Sequence, residues 1–264
     1  MIDADATVAA LTGRPDRTAL LVDFDGSLAP IVGRADDARP LPGALPVLSR
    51  LATRLGRVAI VSGRPVGFLA RHLGVDGLAL VGLYGMERSI DGAYSVDPRV
   101  EPYRVAVAAA TAELEARLPA EVVEPKAGLS VTLHWRPVPE QADSIREIAH
   151  DVGRRHGLAE LRTRMAIELR PPIGVDKSGA TRALIEGFEV GAFAGDDRGD
   201  LPAFAELARA VEDGRLQRAV RIGVNSSEAP PELAAAVDLI VDGPAGLLAL
   251  LTRVVDEIGE PVGG

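Results

Sequence analysis

Residues 19–27 read ALLVDFDGS, an aliphatic run that ends in a pair of aspartates. The run Ala19–Phe24 predicts a buried β-strand. Ligands of open α/β sheets bind at the carboxyl ends of the strands, so Asp23 and Asp25 are expected where chemistry takes place. Two carboxylates this close repel each other, and a hard divalent cation is the usual way to offset the repulsion. The alternative is an ordinary strand-to-turn junction, where Asp and Gly are common.

Other aliphatic runs alternate with helical patterns in both the first and the last third of the chain. Strands are predicted at 57–61, 78–82, 190–194, 219–224 and 239–241. Helices are predicted at 45–55, 66–73, 177–186, 201–212 and 245–258. Strands and helices that alternate in this way predict the α/β class, with a parallel sheet covered on both faces.

The middle of the chain has a different pattern. Helical patterns at 104–118 and 139–156 alternate with residues 129–135 and 164–170, in which apolar and polar side chains strictly alternate. Strict alternation predicts a half-exposed antiparallel sheet with helices on its other side. We therefore expect a smaller α+β unit at 102–172, inserted between core segments at 1–101 and 173–264. Trp135 alternates with apolar residues and is expected in the core of that unit.

Residues 60–65, IVSGRP, follow the second predicted strand. The hydroxyl of Ser62 and the amides after it, at the start of a helix, form a cradle suited to phosphate. The alternative is that Ser62 only caps that helix.

Residues 174–180, GVDKSGA, place Lys177 at the start of a predicted helix. A cation is disfavoured at that end of the helix dipole, which indicates an anion nearby. The alternative is a solvated surface lysine.

Residues 193–200, FAGDDRGD, follow another apolar strand. Asp196, Asp197 and Asp200 form an acidic cluster that is costly without a counter-ion. The alternative, an acidic helix start, accounts well for Asp200 only.

In this order the four motifs resemble those of the haloacid-dehalogenase-like phosphatase superfamily, and further details resemble the trehalose-6-phosphate phosphatase family. The segments that carry the second resemblance are DFDGSLAPI at 23–31, SGR at 62–64, GLYGME at 82–87, SVTLHWR at 130–136, and IELRP at 167–171 followed by Asp176 and Lys177. The resemblance covers about residues 17–255. It implies a Rossmann-like core with an inserted cap domain.

The resemblance also implies a mechanism and a set of site residues. Asp23 is the expected nucleophile, forming an aspartyl-phosphate, and Asp25 the expected general acid and base. Ser62 and Lys177 are expected to hold phosphoryl oxygens. The resemblance implies a Mg²⁺ ion held by the side chain of Asp23, the backbone carbonyl of Asp25 and the side chain of Asp196. Asp197 and Asp200 are expected to orient the water bound to the metal and the side chain of Lys177. The implied substrate-binding residues are Arg64, Lys126, Arg164 and Glu168.

Three departures from the family pattern keep alternatives open. Tyr84 stands where the family has His, Thr163-Arg164 replaces Gly-Lys, and Gly199-Asp200-Leu201 replaces Thr-Asp-Glu. The expected substrate is trehalose 6-phosphate, and the alternative is a related phosphatase that acts on a sucrose, glucosylglycerol or mannosylglycerate phosphate. A different class is a catalytically silent binding protein, which would be free to lose the Asp23, Asp25 and Lys177 that this chain retains.

Composition excludes several classes of function. The chain has a formal charge of −9 and only 3% aromatic residues, which argues against nucleic-acid binding. It has no cysteine, so disulfides and thiolate metal sites are excluded. With no signal-peptide pattern and no apolar run near the ~20 residues of a membrane helix, the expected location is the cytoplasm. The expected partner is a small sugar phosphate, and the resemblance implies a functional link to a trehalose-phosphate synthase.

Overall fold

The computed structural model of the protein describes residues 2–163, 165–226 and 229–259. The strands in that part of the chain are β1 Thr18–Val22, β2 Arg57–Val61, β3 Leu78–Gly82, β4 Glu87–Ile90, β5 Ala93–Val96, β6 Val123–Lys126, β7 Ser130–His134, β8 Ala159–Arg162, β9 Ala166–Arg170, β10 Val190–Gly195, β11 Arg218–Val224 and β12 Leu239–Val241. The α-helices there are α1 Ala4–Thr12, α2 Ala44–Ala52, α3 Val66–Leu73, α4 Arg104–Arg117, α5 Ala142–His156, α6 Lys177–Leu184, α7 Leu201–Glu212, α8 Leu233–Ala236 and α9 Gly243–Ile258.

The larger sheet has the strand order β12-β11-β10-β1-β2-β3-β4-β5. The six strands from β12 to β3 are parallel, and β4 joins β3 in the antiparallel sense. All five residues of β1 are buried, as expected for a parallel strand covered on both faces. In register, Val22 pairs with Ile60 on one side and with Ala194 on the other. The ends of β2 and β10 therefore flank the end of β1.

An aliphatic core underlies those strand ends. Leu21 and Phe193 project from neighbouring strands into one buried cluster with Phe204 of α7. The Phe193 and Phe204 rings meet edge to face, with centroids 5.5 Å apart. A close-packed interior of this kind is rigid, so the loops that leave β1 and β10 start from fixed positions.

The smaller sheet has the order β6-β7-β9-β8, and all its pairs are antiparallel. Its apolar side chains form a core with α4 and α5 that includes Trp135, which is 3% exposed and buried as predicted. On the other face, Thr132 and Glu168 lie opposite each other on β7 and β9. The predicted fold class, a mostly parallel α/β core with an inserted smaller α+β part, is confirmed.

The chain divides into two compact units. One comprises the described parts of Met1–Ile31, Ala38–Ser95 and Val175–Gly264, and the other comprises Val32–Asp37 and Val96–Gly174. That the second unit is a separate domain with boundaries at 102 and 172 remains a prediction. No helix among the described residues combines the length and the apolar character that crossing a membrane requires.

Four short strands, β4, β5, β6 and β8, were not among the predicted elements. Each has four residues. β6 reads VEPK and β5 is mostly exposed, so neither presents the apolar alternation that indicates a strand. They are held by pairing with neighbours that are distant in sequence or joined by a tight turn.

Candidate active site

Asp23 and Asp25 lie in a tight loop directly after β1. The Asp23 amide donates to the carbonyl of Ala194 (2.8 Å), which extends the pairing of β1 with β10 by one residue. Gly26 has φ +83°, and a Cβ there would come within 2.1 Å of Asp196 Oδ2. Only glycine allows this backbone turn and this approach together. The loop is therefore built to bring Asp23 against the Asp196 segment.

Lys177 is the first residue of α6 and is 2% exposed. The side chain of Asp176 caps the helix by accepting the Ser178 amide (2.8 Å). The Lys177 ammonium donates to Asp23 Oδ1 (2.5 Å) and to Asp200 Oδ1 (2.6 Å). The alternative of a solvated surface lysine is wrong, because this lysine bridges two buried carboxylates.

Asp200 is a buried brace for the loop after β10. Its Oδ2 accepts the amides of Asp196 (2.8 Å) and Asp197 (3.0 Å), and its Oδ1 accepts Lys177. A Cβ on Gly195 would lie 2.3 Å from the Asp200 carboxyl carbon, so glycine is needed for this fold of the loop. Both Asp200 oxygens are engaged by protein donors.

Asp196 carries the atom that fits a metal ion best. Oxygens of Asp23, Asp196 and Asp200 lie within 4.8 Å of one another. Asp196 Oδ1 is buried and has no hydrogen-bond partner in the described part of the chain. A buried carboxylate oxygen without a donor is costly unless a cation or a donor meets it. Since Asp200 is engaged elsewhere, Asp23 and Asp196 are the pair of side chains that fit a hard divalent cation.

The electrostatics of the cluster favour a cation. Burial, followed by repulsion from Asp200, raises the pKa of Asp197 to about 7. Burial, opposed by a hydrogen bond from Ser226 and reinforced by neighbouring carboxylates, raises the pKa of Asp196 to about 8. Burial also raises the pKa of Asp23 well above its usual range despite Lys177. Several carboxylates thus share a single buried ammonium, and a divalent ion would relieve their repulsion.

Ser62 and Arg64 lie in the turn after β2. Ser62 is 1% exposed, and its hydroxyl oxygen accepts the Arg64 amide (3.1 Å). The first amide of α3, that of Val66, is instead accepted by the buried Glu87 carboxylate (2.5 Å). The alternative of Ser62 as the cap of α3 is therefore wrong.

Arg64 forms an ion pair with Asp25, the second aspartate of the loop after β1. Its Nε and Nη2 donate to Asp25 Oδ2 (2.7 Å) and Oδ1 (2.8 Å), a two-pronged pair. The guanidinium also lies over the Phe68 ring, 4.7 Å from its centroid. Such a pair fixes both the position and the orientation of a carboxylate. The structure thus brings Arg64, predicted to bind substrate, to Asp25.

Tyr84 packs on the same turn. Its backbone is left-handed, with φ 59°, and its amide donates to the Ser62 carbonyl (3.0 Å). A Cβ on Gly63 would lie 2.7 Å from the Tyr84 hydroxyl oxygen, so the phenol lies directly against Gly63. The tyrosine that departs from the family pattern is therefore beside the predicted phosphate cradle.

Two of the predicted sugar-binding residues meet on the smaller sheet. Lys126 Nζ lies 3.4 Å from Glu168 Oε2, and both side chains are buried. Glu168 Oε1 is buried without a hydrogen-bond partner in the described residues. This oxygen can therefore accept a hydrogen bond from a hydroxyl group. The third, Arg164, lies outside the described residues.

The residues that the sequence left unassigned include Ser226, which follows β11. Its hydroxyl lies 2.6 Å from Asp196 Oδ2. A signal existed, since β11 was predicted and polar residues 225 and 226 directly follow it. The rule that polar residues at the carboxyl ends of parallel strands converge applies to this strand as it does to β1 and β10.

Comparison with known proteins identifies a family for this chain. The family model described as trehalose-phosphatase matches residues 21–235. A trehalose-phosphate phosphatase of Mycobacterium avium is 32% identical over 268 aligned positions, covering 94% of this chain and 66% of the relative. Among the curated mycobacterial relatives that align with at least 80% of this chain, the chain spans 52% to 66% of their length.

Two solved structures share the fold. The C-terminal domain of Candida albicans trehalose-6-phosphate phosphatase superposes with a TM-score of 0.75 at 19% identity, covering 96% of this chain and 97% of that one. A haloacid dehalogenase-like hydrolase from Bacteroides thetaiotaomicron gives 0.61 at 17% identity, covering 90% and 99%. With the family model matched over most of the sequence, the chain belongs to the trehalose-phosphatase family.

Proposed function

We propose that this protein is a Mg²⁺-dependent phosphatase that hydrolyses trehalose 6-phosphate to trehalose and phosphate. The observation that carries the proposal is the buried cluster at the ends of β1 and β10, where Asp23 and Asp196 lie within reach of one ion and Lys177 bridges Asp23 to Asp200. Membership of the trehalose-phosphatase family supports the reaction and its substrate.

Asp23 is the proposed nucleophile. A carboxylate oxygen of Asp23 attacks phosphorus, the bond to the sugar oxygen breaks, and an aspartyl-phosphate forms. Water then attacks this phosphorus, releasing inorganic phosphate and restoring the Asp23 carboxylate. The hydrogen bond from Lys177 to Asp23 Oδ1 fixes the carboxylate, which favours an attack geometry set before substrate arrives.

Asp25 is the proposed general acid and base. It gives a proton to the departing sugar oxygen and later takes one from the attacking water; such a group commonly contributes about 10²–10⁴-fold. Arg64 holds both of its oxygens. For Asp25 to carry a proton, this pair has to loosen, so we assign Arg64 a dual role: it orients Asp25 and then engages the bound phosphate ester.

Mg²⁺ would be held by the side chains of Asp23 and Asp196 and by the backbone carbonyl of Asp25. When bound, the ion supplies positive charge at the phosphoryl oxygens. Lys177 and Ser62 are proposed to hold non-bridging oxygens and to stabilise their charge in the transition state.

Asp197 and Asp200 are proposed to act through other groups. Asp200 fixes Lys177 and the two amides at the start of the loop, so it sets the positions of both Lys177 and Asp196. Asp197 accepts the Gly199 amide (2.8 Å) through Oδ1 and is proposed to orient water on the metal.

The proposed sugar site comprises Lys126, Glu168 and Arg164. The support for it is Glu168 Oε1, an acceptor with no hydrogen-bond partner among the described residues, beside a buried ammonium; this combination is suited to sugar hydroxyls. A cytoplasmic location and a functional link to a trehalose-phosphate synthase, both expected from the sequence, remain parts of the proposal.

An assay of phosphate release tests the proposal directly. Trehalose 6-phosphate, glucose 6-phosphate and sucrose 6-phosphate are each supplied with Mg²⁺ or with EDTA. We expect turnover that requires Mg²⁺, prefers trehalose 6-phosphate and falls at least about 10⁴-fold in Asp23→Asn. Preference for sucrose 6-phosphate would refute the substrate, whereas full activity of Asp23→Asn would refute the nucleophile.

A further inference from the structure

Ser226 links a third strand end to the cluster. β11 lies next to β10 in the sheet, and Ser226 follows β11 by two residues. Its hydroxyl lies 2.6 Å from Asp196 Oδ2, although the two residues are thirty positions apart in the sequence. When Asp196 is ionised, as it has to be to bind a metal, the Ser226 hydroxyl donates this hydrogen bond to its carboxylate. Ser226 is thus a donor on the carboxylate that fits the metal.

This hydrogen bond makes the two oxygens of Asp196 different. Oδ2 accepts the hydrogen bond of the Ser226 hydroxyl. Oδ1 is buried with no hydrogen-bond partner in the described ranges. Rotation of the carboxylate would break the Ser226 bond, so the bond selects which oxygen remains available for a cation.

We propose that Ser226 is a positioning residue for the metal ligand Asp196, holding Oδ2 so that Oδ1 faces the ion. The inference rests on the proposed metal role of Asp196 and extends it to a residue outside the proposed set of metal ligands. Hydrogen-bond partners of metal-ligating carboxylates commonly change metal affinity by about 10- to 100-fold when removed.

The test is Mn²⁺ binding to the substrate-free, full-length protein, measured from the electron paramagnetic resonance signal of the free ion. Mn²⁺ serves as the probe because it shares the oxygen preference of Mg²⁺. We expect Ser226→Ala to weaken binding about 10- to 100-fold. Ser226→Thr keeps the hydroxyl and is expected to restore most of the affinity. Ser49→Ala, which changes an exposed serine of α2, is the matched control and is expected to bind as the wild type does.

Each outcome decides between two claims. If Ser226→Ala binds Mn²⁺ as tightly as the wild type while Asp196→Asn loses binding, the metal site stands and the role of Ser226 is overturned. If the wild type binds no Mn²⁺, the metal site and the inference both fail. Equal losses in the Ala and Thr variants, with unchanged thermal midpoints in EDTA, would also overturn a role based on the hydroxyl.

Discussion

Replacing Lys177 by Met tests how much the buried ion pairs of the cluster contribute to stability. Lys177 is 2% exposed, and its ammonium lies 2.5 Å from Asp23 Oδ1 and 2.6 Å from Asp200 Oδ1. Methionine is similar in length but has no charge, so the substitution leaves two buried carboxylates without their cation. Removing one partner of a buried ion pair commonly costs about 3–5 kcal/mol. For a chain of this size that corresponds to a fall in melting temperature of roughly 6–20 °C.

The loss depends on pH in a predictable direction. Burial already raises the pKa of Asp23 well above its unfolded value of 3.8, and loss of Lys177 raises it further. The Asp23 carboxyl of the folded variant therefore keeps its proton to a higher pH than that of the folded wild type, so the deficit of the variant relative to the wild type grows as pH rises between the two raised pKa values. A difference of one bound proton over two pH units changes the free energy of unfolding by up to about 2.7 kcal/mol. The deficit at pH 6 is thus expected to be clearly smaller than at pH 8.

Melting temperatures measured by circular dichroism in EDTA at both pH values give the answer. Arg71→Met, which removes an exposed cation from α3, is the matched control and is expected to shift the midpoint little. A Lys177→Met midpoint equal to that of the control, or a deficit that does not grow from pH 6 to pH 8, would refute the reasoning.

Three further predictions follow from the loops around the cluster. Gly26→Ala puts a methyl group 2.1 Å from Asp196 Oδ2 at φ +83°, so we expect calorimetry to show metal affinity reduced at least about 10-fold; unchanged affinity would contradict the packing. Protons compete with metal at Asp196, whose pKa is raised to about 8, so Mg²⁺ affinity in titrations should rise from pH 6 to pH 8, and a flat profile would contradict this. Arg64→Lys keeps the charge but loses the fork on Asp25, so kcat is expected to fall about 10- to 100-fold with little change in melting temperature; wild-type kcat would exclude an orienting role.

Much of the core site was predictable because parallel strands gather their carboxyl ends at one edge. Asp23 and Asp196 each follow an aliphatic run, and the run predicts both the strand and the edge where it ends. Lys177 was detectable through its unfavourable place at the start of a helix. The spacing of apolar residues predicts strands and helices because it reflects which side chains are buried, and that preference can be read from each residue type.

Pairings between side chains were not predictable. The sequence gives no indication that Arg64 grips Asp25 or that Ser226 holds Asp196, because such bonds depend on loop conformation and on the register of neighbouring strands. The strands β6 and β8 were missed for a related reason. Each is four residues long, and their pairing with β7 and β9, rather than their own composition, makes them strands.

The central claim is that Asp23 and Asp196 share one divalent ion. A crystal grown with Mn²⁺ and measured at the manganese absorption edge locates that ion by its anomalous scattering. The account predicts a single strong peak at about 2.1 Å from an oxygen of Asp23 and from Oδ1 of Asp196. The account would be contradicted by a manganese ion bound to only one of these carboxylates. It would also be contradicted by an ion bound elsewhere while both carboxylates remain hydrogen-bonded to protein donors.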